Sequence, residues 1–270
     1  MDADHLDIYG DLEHVQEAFR QFASQVSGTV IKKYGLPVSS KDTGARILTY
    51  HLEDRNADFH ATNIRLDESG HYIYDLIYPE GVLENIKVGA LGKVNVENSI
   101  AAAAVCLIYG TAPEGIRKAI GTFEGVKRRL ELHVNKPGIT YIDDYAHHPE
   151  ELATAIDSIR GIYPGRKLTA IFQPHLYTRT RDLAPEFAES LSHVDKLILL
   201  DIYPAREEPI EGVSSEIIFK DVTAPEKILI RKEELMEYLE KEKIDVLATF
   251  GAGDVDRYIE PIRELLENRN

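Results

Sequence analysis

Two short apolar runs, Leu168-Thr-Ala-Ile-Phe172 and Leu197-Ile-Leu-Leu200, constrain the fold of this chain most strongly. Runs of this length suit strands buried on both faces, the mark of a parallel sheet covered by helices. The surrounding sequence keeps a β-then-α rhythm. Strands are expected over 139–143, 167–173, 196–201, 227–230 and 245–250, with helices over 149–163, 183–194, 232–240 and 255–267. The second half therefore reads as α/β with a mostly parallel sheet.

The first half has a different texture. Leu12, Val15, Ala18, Phe19, Phe22, Ala23 and Val26 recur on one face of a helix over 11–27, with Asp11 as its N-cap and Gly28 as its stop. Residues 29–88 are strand-rich, clearest over 46–52, 58–65 and 72–78, with a turn at Asp67-Glu-Ser-Gly70. An alanine-rich helix over 95–109 ends at Gly110, and Pro113 opens another over 113–120. A short strand then runs through Val134. The turn-forming Asn135-Lys-Pro-Gly138 is the best candidate boundary, which divides the chain into domains 1–134 and 135–270.

Composition narrows the function. A chain of 270 residues can bury a real core without staples. Its one cysteine, Cys106, excludes a disulfide framework and a cysteine-based zinc site, and fits a reducing, cytoplasmic setting. No apolar run approaches the roughly 20 residues that cross a bilayer, and no signal sequence is read at the start. Against 31 Lys and Arg stand 46 Asp and Glu, a net charge of −15 that argues against general nucleic-acid binding. An anionic ligand must be met locally, by a few placed cations, backbone N–H groups or a metal ion.

In open α/β sheets ligands bind beyond the carboxyl ends of the strands. The expected strand ends here lead into Asp144-Tyr-Ala-His-His-Pro149, Pro174-His-Leu-Tyr-Thr-Arg-Thr-Arg-Asp182, Tyr203-Pro-Ala-Arg-Glu-Glu-Pro209 and Gly251-Ala-Gly-Asp254. Singly, each has a plain reading. Asp143-Asp144 suits a solvated strand end or an acid pair at the approach to a helix. Adjacent His147 and His148 are not spaced to share a metal on one helix face. Arg179 and Arg181 could pair with surface acids, or hold a carboxylate or phosphate. Gly251-Ala-Gly253 serves an anion or simply turns the chain. In the first half, Asp4-His5 suits either a metal with oxygen and imidazole ligands or N-terminal capping or disorder. Asn95 and Asn98 share a helix face and could meet an adenine edge or cap the helix. Arg128-Arg129 could clamp a phosphate or simply end a helix.

Six segments together resemble the Mur ligases, the ATP-dependent amide ligases of peptidoglycan precursor synthesis. They are Asp4-His-Leu-Asp7, Gly92-Lys-Val-Asn-Val-Glu-Asn98, Phe123-Glu-Gly-Val-Lys-Arg-Arg129, Asp143-Asp-Tyr-Ala-His-His-Pro149, Phe172-Gln-Pro-His-Leu-Tyr-Thr-Arg-Thr180 and Gly251-Ala-Gly-Asp254. The fourth and fifth point to the alanine-adding member. The murein-peptide ligase resembles the fourth but less so the fifth.

The resemblance implies the rear of a central ATPase domain over 1–134, followed by a Rossmann-like C-terminal domain over 135–270. The family's UDP-binding domain and Gly-Lys-Thr phosphate loop are expected to precede residue 1, so the chain alone is expected to be inactive. The implied reaction joins L-alanine to UDP-N-acetylmuramate through an acyl phosphate, with ATP and Mg2+. By the same resemblance His5 ligates magnesium, Asn95 and Asn98 contact adenine, and Arg129 reaches ATP. Asp144 contacts the nucleotide, while Tyr145, His147 and Arg179 position the amino acid, Arg179 by its carboxylate. Two positions depart from the family. Val94 stands where His is frequent, and Leu176 where some members carry Arg. The rival readings are a murein-peptide ligase and a non-catalytic Rossmann-like binding module; no membrane insertion is expected in any of them.

Overall fold

The computed structural model describes residues 10–269. It divides into two compact units, one made of residues through Phe123 and the other of Glu124 onward, with short segments 68–70 and 90–92 belonging to the second.

The first unit opens with α1 (Leu12–Ser24), capped as its sequence requires by Asp11, whose carboxylate accepts the His14 amide at 2.9 Å. Its apolar stripe is only partly covered. Val15 and Ala23 are buried, whereas Phe22 is 68% exposed. Strands β1 (Thr29–Lys33), β2 (Arg46–His51), β3 (Phe59–Leu66), β4 (Tyr72–Tyr78) and β5 (Gly81–Lys87) form a five-stranded sheet in chain order. The first three are parallel, and β3–β4–β5 is an antiparallel meander. Helices α2 (Lys93–Ile108) and α3 (Pro113–Thr122) follow, α3 starting on the expected proline. Tyr74 ties sheet to helix. Its hydroxyl lies 2.8 Å from that of Ser99, which donates to Val96 O, and burial pushes its pKa up to about 12.

The second unit contains β6 (Glu131–Lys136), β7 (Ile139–Asp144), α4 (Pro149–Ile162), β8 (Leu168–Phe172), α5 (Tyr177–Asp182), α6 (Ala184–Leu191), β9 (Lys196–Leu199), α7 (Glu216–Phe219), β10 (Glu226–Leu229), α8 (Leu235–Lys241), β11 (Val246–Phe250) and α9 (Ile259–Glu267). The strand order is β10-β9-β8-β11-β7-β6, parallel except for the β6–β7 hairpin. Successive strand residues face opposite sides, and both sides are covered. Ile171 joins a buried cluster with Tyr141, Ile198 and Leu247 under Leu235, Leu239 and Ile262 of α8 and α9. Phe172 instead meets Phe187 of α6, ring centroids 5.4 Å apart. Burying each such side chain is worth about 1.5–3 kcal/mol, so the two-sided apolar runs stabilise this sheet directly.

Two expectations need correction. Asn135–Gly138 is no domain boundary. It is the hairpin turn between β6 and β7, both strands of the second sheet, and the division falls at Phe123/Glu124. The stretch after β8 is not all loop either, since residues 177–182 form α5 and place Arg179 and Arg181 on a helix. The remaining strands and helices of the second half lie within a few residues of expectation. The helices expected over 232–240 and 255–267 each open on a 3-10 turn.

Candidate active site

The parallel strands β7, β11, β8 and β9 release their carboxyl ends side by side. Under the β7 and β11 ends lies a buried polar chain. Thr249 is paired in register with Asp143 and donates its hydroxyl to Asp143 Oδ1, while Tyr141 OH sits 3.2 Å from Thr249 Oγ1. All three residues are fully buried, and burial raises the Tyr141 phenol far above its ordinary value. Arg128 completes the chain. Its Nε donates to Asp143 Oδ2 at 2.9 Å and an Nη to Gly251 O at 2.6 Å, and its guanidinium lies 5.2 Å from the centre of the Tyr145 ring. One guanidinium thus ties together the ends of two strands.

The segment carrying Arg128 is held in an uncommon backbone shape. Arg128 and Leu130 have φ of +60° and +46°, left-handed values that cost side-chain-bearing residues energy and persist where neighbours enforce them. The enforcement is visible. Leu130 N donates to Asp144 Oδ2, Tyr145 N donates to Arg128 O, and Arg128 N donates to Glu131 Oε2, at 2.7–2.8 Å. Asp144 Oδ1 accepts Ala146 N at 2.8 Å. Asp144 is therefore a buried residue with both oxygens bonded to backbone. Burial raises its pKa, against the lowering effect of those two amides. It holds the chain around it in place. Arg129, the arginine singled out from sequence, is exposed, and its neighbour Arg128 makes the polar contacts. Two adjacent arginines are indistinguishable in sequence; the left-handed turn decides which faces inward.

The β11 end is packed against the β8 end with no space to spare. Gln173 Oε1 accepts Val255 N at 3.0 Å and its Nε2 donates to Asp254 Oδ1 at 2.8 Å, while Lys232 pairs with the other Asp254 oxygen. A Cβ on Gly253 would stand 2.4 Å from Gln173 Oε1 and 2.7 Å from Tyr203 Cβ. The glycine is needed for this close approach.

Above these supports, rings from three strand ends form a row. Tyr145 meets His147 at 5.1 Å, His147 meets His175 at 6.0 Å, and His175 stacks on Tyr203 at 5.7 Å, centroid to centroid. His147 Nδ1 lies 3.0 Å from Tyr145 O; a carbonyl only accepts, so Nδ1 carries the hydrogen, and in the neutral ring Nε2 is the acceptor. Arg179, on α5, puts Nη1 3.5 Å from His175 Nδ1. Burial, then the charges of Arg179 and His147, hold the His175 pKa below its ordinary 6.5. The expected residues Tyr145, His147 and Arg179 are thus brought together. The row's other members, His175 and Tyr203, were visible only as parts of polar strand-end loops.

The remaining expected residues lie elsewhere. Asn95 and Asn98 sit on the first turns of α2 in the first unit, where Asn98 Nδ2 donates to Asn95 Oδ1 at 3.2 Å. Their shared face is as expected, although α2 starts at Lys93, so Asn95 is not its cap. His5 lies outside the described residues. Among the described residues one cluster has metal-ligand geometry, Glu131, His133 and Asp143. It does not fit magnesium. Both Asp143 oxygens are bonded to Thr249 and Arg128, Glu131 holds the Arg128 amide, and a guanidinium beside the cluster repels a cation.

Residues 1–106 match the Mur ligase middle domain and residues 128–255 the Mur ligase, glutamate ligase domain. The chain belongs to the Mur ligase family. The two matched stretches fall on either side of the structural division at Phe123/Glu124. A UDP-N-acetylmuramate–L-alanine ligase of Parabacteroides distasonis is 47% identical over 98% of this chain and 58% of its own length. The chain thus spans under two thirds of that Mur ligase. The fold is shared with the UDP-N-acetylmuramate–alanine ligase MurC of Thermotoga maritima, at a TM-score of 0.77 and 22% identity over 98% of this chain and 58% of that one. It is also shared with a MurF ligase of Thermotoga maritima in complex with ADP, at a TM-score of 0.69 and 17% identity over 99% and 61% of the two chains.

Proposed function

We propose that this chain is the part of an alanine-adding Mur ligase that binds the amino acid and helps hold the nucleotide, in a protein that joins L-alanine to UDP-N-acetylmuramate using ATP. The observation that carries this reading is the ring row flanked by Arg179. A small amino acid needs an acceptor near its amine and a cation at its carboxylate. His147 Nε2 supplies the first, and the Arg179 guanidinium suits the second. Tyr145 closes one end of the row. The Parabacteroides distasonis relative, 47% identical, is named as an L-alanine ligase, which supports alanine over a peptide.

In the reaction, ATP would phosphorylate the muramoyl carboxylate, and the amine of alanine would attack the acyl phosphate to give amide and phosphate. The residues of this chain have definable tasks in that scheme. Arg179 orients the amino acid, and His147 accepts a hydrogen bond from its amine. Arg128, through Asp143 and Gly251, fixes the strand ends beneath them. Asp144 positions the 128–130 segment, which leaves Arg129 exposed toward a phosphate. Asn95 and Asn98 offer a paired amide face suited to an adenine edge. Magnesium enters the proposal through His5, and no described donor set takes its place.

The test is steady-state kinetics of the full-length ligase carrying this sequence. Arg179→Ala should raise the alanine KM by roughly 10-fold or more, the loss of a charge-assisted carboxylate contact, with far less change in the KM for ATP. An unchanged alanine KM removes Arg179 from the substrate.

A further inference from the structure

The loop after β9 is fastened to the loop after β8. His175 and Tyr203 pair as a parallel bridge, Tyr203 N donates to Pro174 O at 2.8 Å, and Leu176 N donates to Tyr203 O at 3.0 Å. A second fastening lies four residues on. Glu207 accepts Thr178 N at 3.0 Å, and also the Thr178 hydroxyl. Between the two fastenings the chain makes a tight turn, closed by Glu207 N donating to Pro204 O at 2.9 Å, with Ala205 at a left-handed φ of +52°.

Arg206 stands at the exposed tip of that turn, immediately before Glu207. Its side chain makes no hydrogen bond or ion pair among the described residues, in a chain whose net charge is −15. The adjacent acid, Glu207, is already engaged by Thr178. Arg206 lies three residues from Tyr203, the last ring of the row, and its neighbour Glu207 is bonded to Thr178, which precedes Arg179. The turn that carries Arg206 is held at both ends, so its guanidinium is presented from a fixed backbone position.

We propose that Arg206 is a second guanidinium for the carboxylate of the incoming amino acid, placed beside Arg179 by the Tyr203 and Glu207 fastenings. The inference rests on the amino-acid reading of this site given above and deepens it. Two guanidiniums can take the two oxygens of one carboxylate, which fixes the amine's direction as well as its distance. Leu176 is bonded through its backbone to Tyr203, three residues before Arg206, so positions 176 and 206 approach the row from adjoining loops.

The experiment is kinetics of the full-length ligase with three variants, Arg206→Ala, Arg206→Lys and Leu176→Arg/Arg206→Ala. For Arg206→Ala the alanine KM should rise about tenfold, with kcat and the KM values for ATP and UDP-N-acetylmuramate within about twofold. Lysine should restore part of the loss, and the double variant should bring the alanine KM back toward wild type. An alanine KM within twofold in Arg206→Ala overturns the proposal. So does a parallel rise in all three KM values with a lowered melting temperature, which marks a structural residue. Failure of the underlying reading looks different: the wild-type enzyme itself would show no alanine-dependent turnover.

Discussion

Removing the Asp143 carboxylate should damage the second unit far more than one ion pair on a surface would. Asp143 is fully buried, and the Arg128 side chain that contacts it at 2.9 Å is only 11% exposed. Asp143→Ala leaves that guanidinium without its carboxylate and the Thr249 hydroxyl without its acceptor. Breaking a buried pair from one side costs about 3–5 kcal/mol, because the abandoned charge stays out of water. For a domain of this size each kcal/mol lowers Tm by roughly 2–4 °C, giving a drop of roughly 6–20 °C. The assay is thermal and urea unfolding by circular dichroism, with hydrogen exchange of the β7 and β11 amides to follow the second unit itself. The double variant Arg128→Met/Asp143→Leu removes both charges and should be much less destabilised than Asp143→Ala. A loss below about 1 kcal/mol in Asp143→Ala, the range of an exposed pair, would refute the view that this chain of polar groups holds the strand ends.

Two further predictions address the site. His175 should titrate below 6.5 by NMR. Being a base with a depressed folded-state pKa, it stabilises the fold above pH 6.5 and loses that contribution as pH falls through its folded value. Arg179→Ala removes one cause of the depression, so the midpoint should move up toward 6.5; an unmoved midpoint would separate the two side chains. Gly253→Ala should cost about 1–3 kcal/mol and reduce ligase activity, since the new methyl collides with Gln173 Oε1 and the Tyr203 side chain. A fully stable and active Gly253→Ala would show that the β8 and β11 loops have more room than their packing implies.

The sequence made the second sheet largely legible, because strands buried on both faces must be apolar throughout. Leu168–Phe172 and the run around Lys196–Leu199 show this directly. The convergence of Tyr145, His147 and Arg179 was legible for a related reason, since parallel strands must release their carboxyl ends on one edge. Other features had no local signal. The Asn135–Gly138 turn looks alike in a hairpin and in a linker, and only strand pairing places it inside a sheet. Arg128 and Arg129 differ through a backbone turn to φ of +60°, which side-chain pattern does not record. Asp143 looks like a solvent-facing acid, but its surroundings are set by Thr249 and Arg128, far away in the chain or across a turn. Arg206 matters through two fastenings between separate loops, and no spacing rule links Thr178 to Glu207.

We propose that the site of this chain serves an amide ligase for alanine. This is tested most directly by measuring phosphate release and amide product in the full-length ligase, with ATP, magnesium and UDP-N-acetylmuramate, supplying either L-alanine or a murein tripeptide. Turnover should depend on L-alanine, with the tripeptide a poor substitute. Turnover with the tripeptide and not alanine, or none that depends on either, would contradict it.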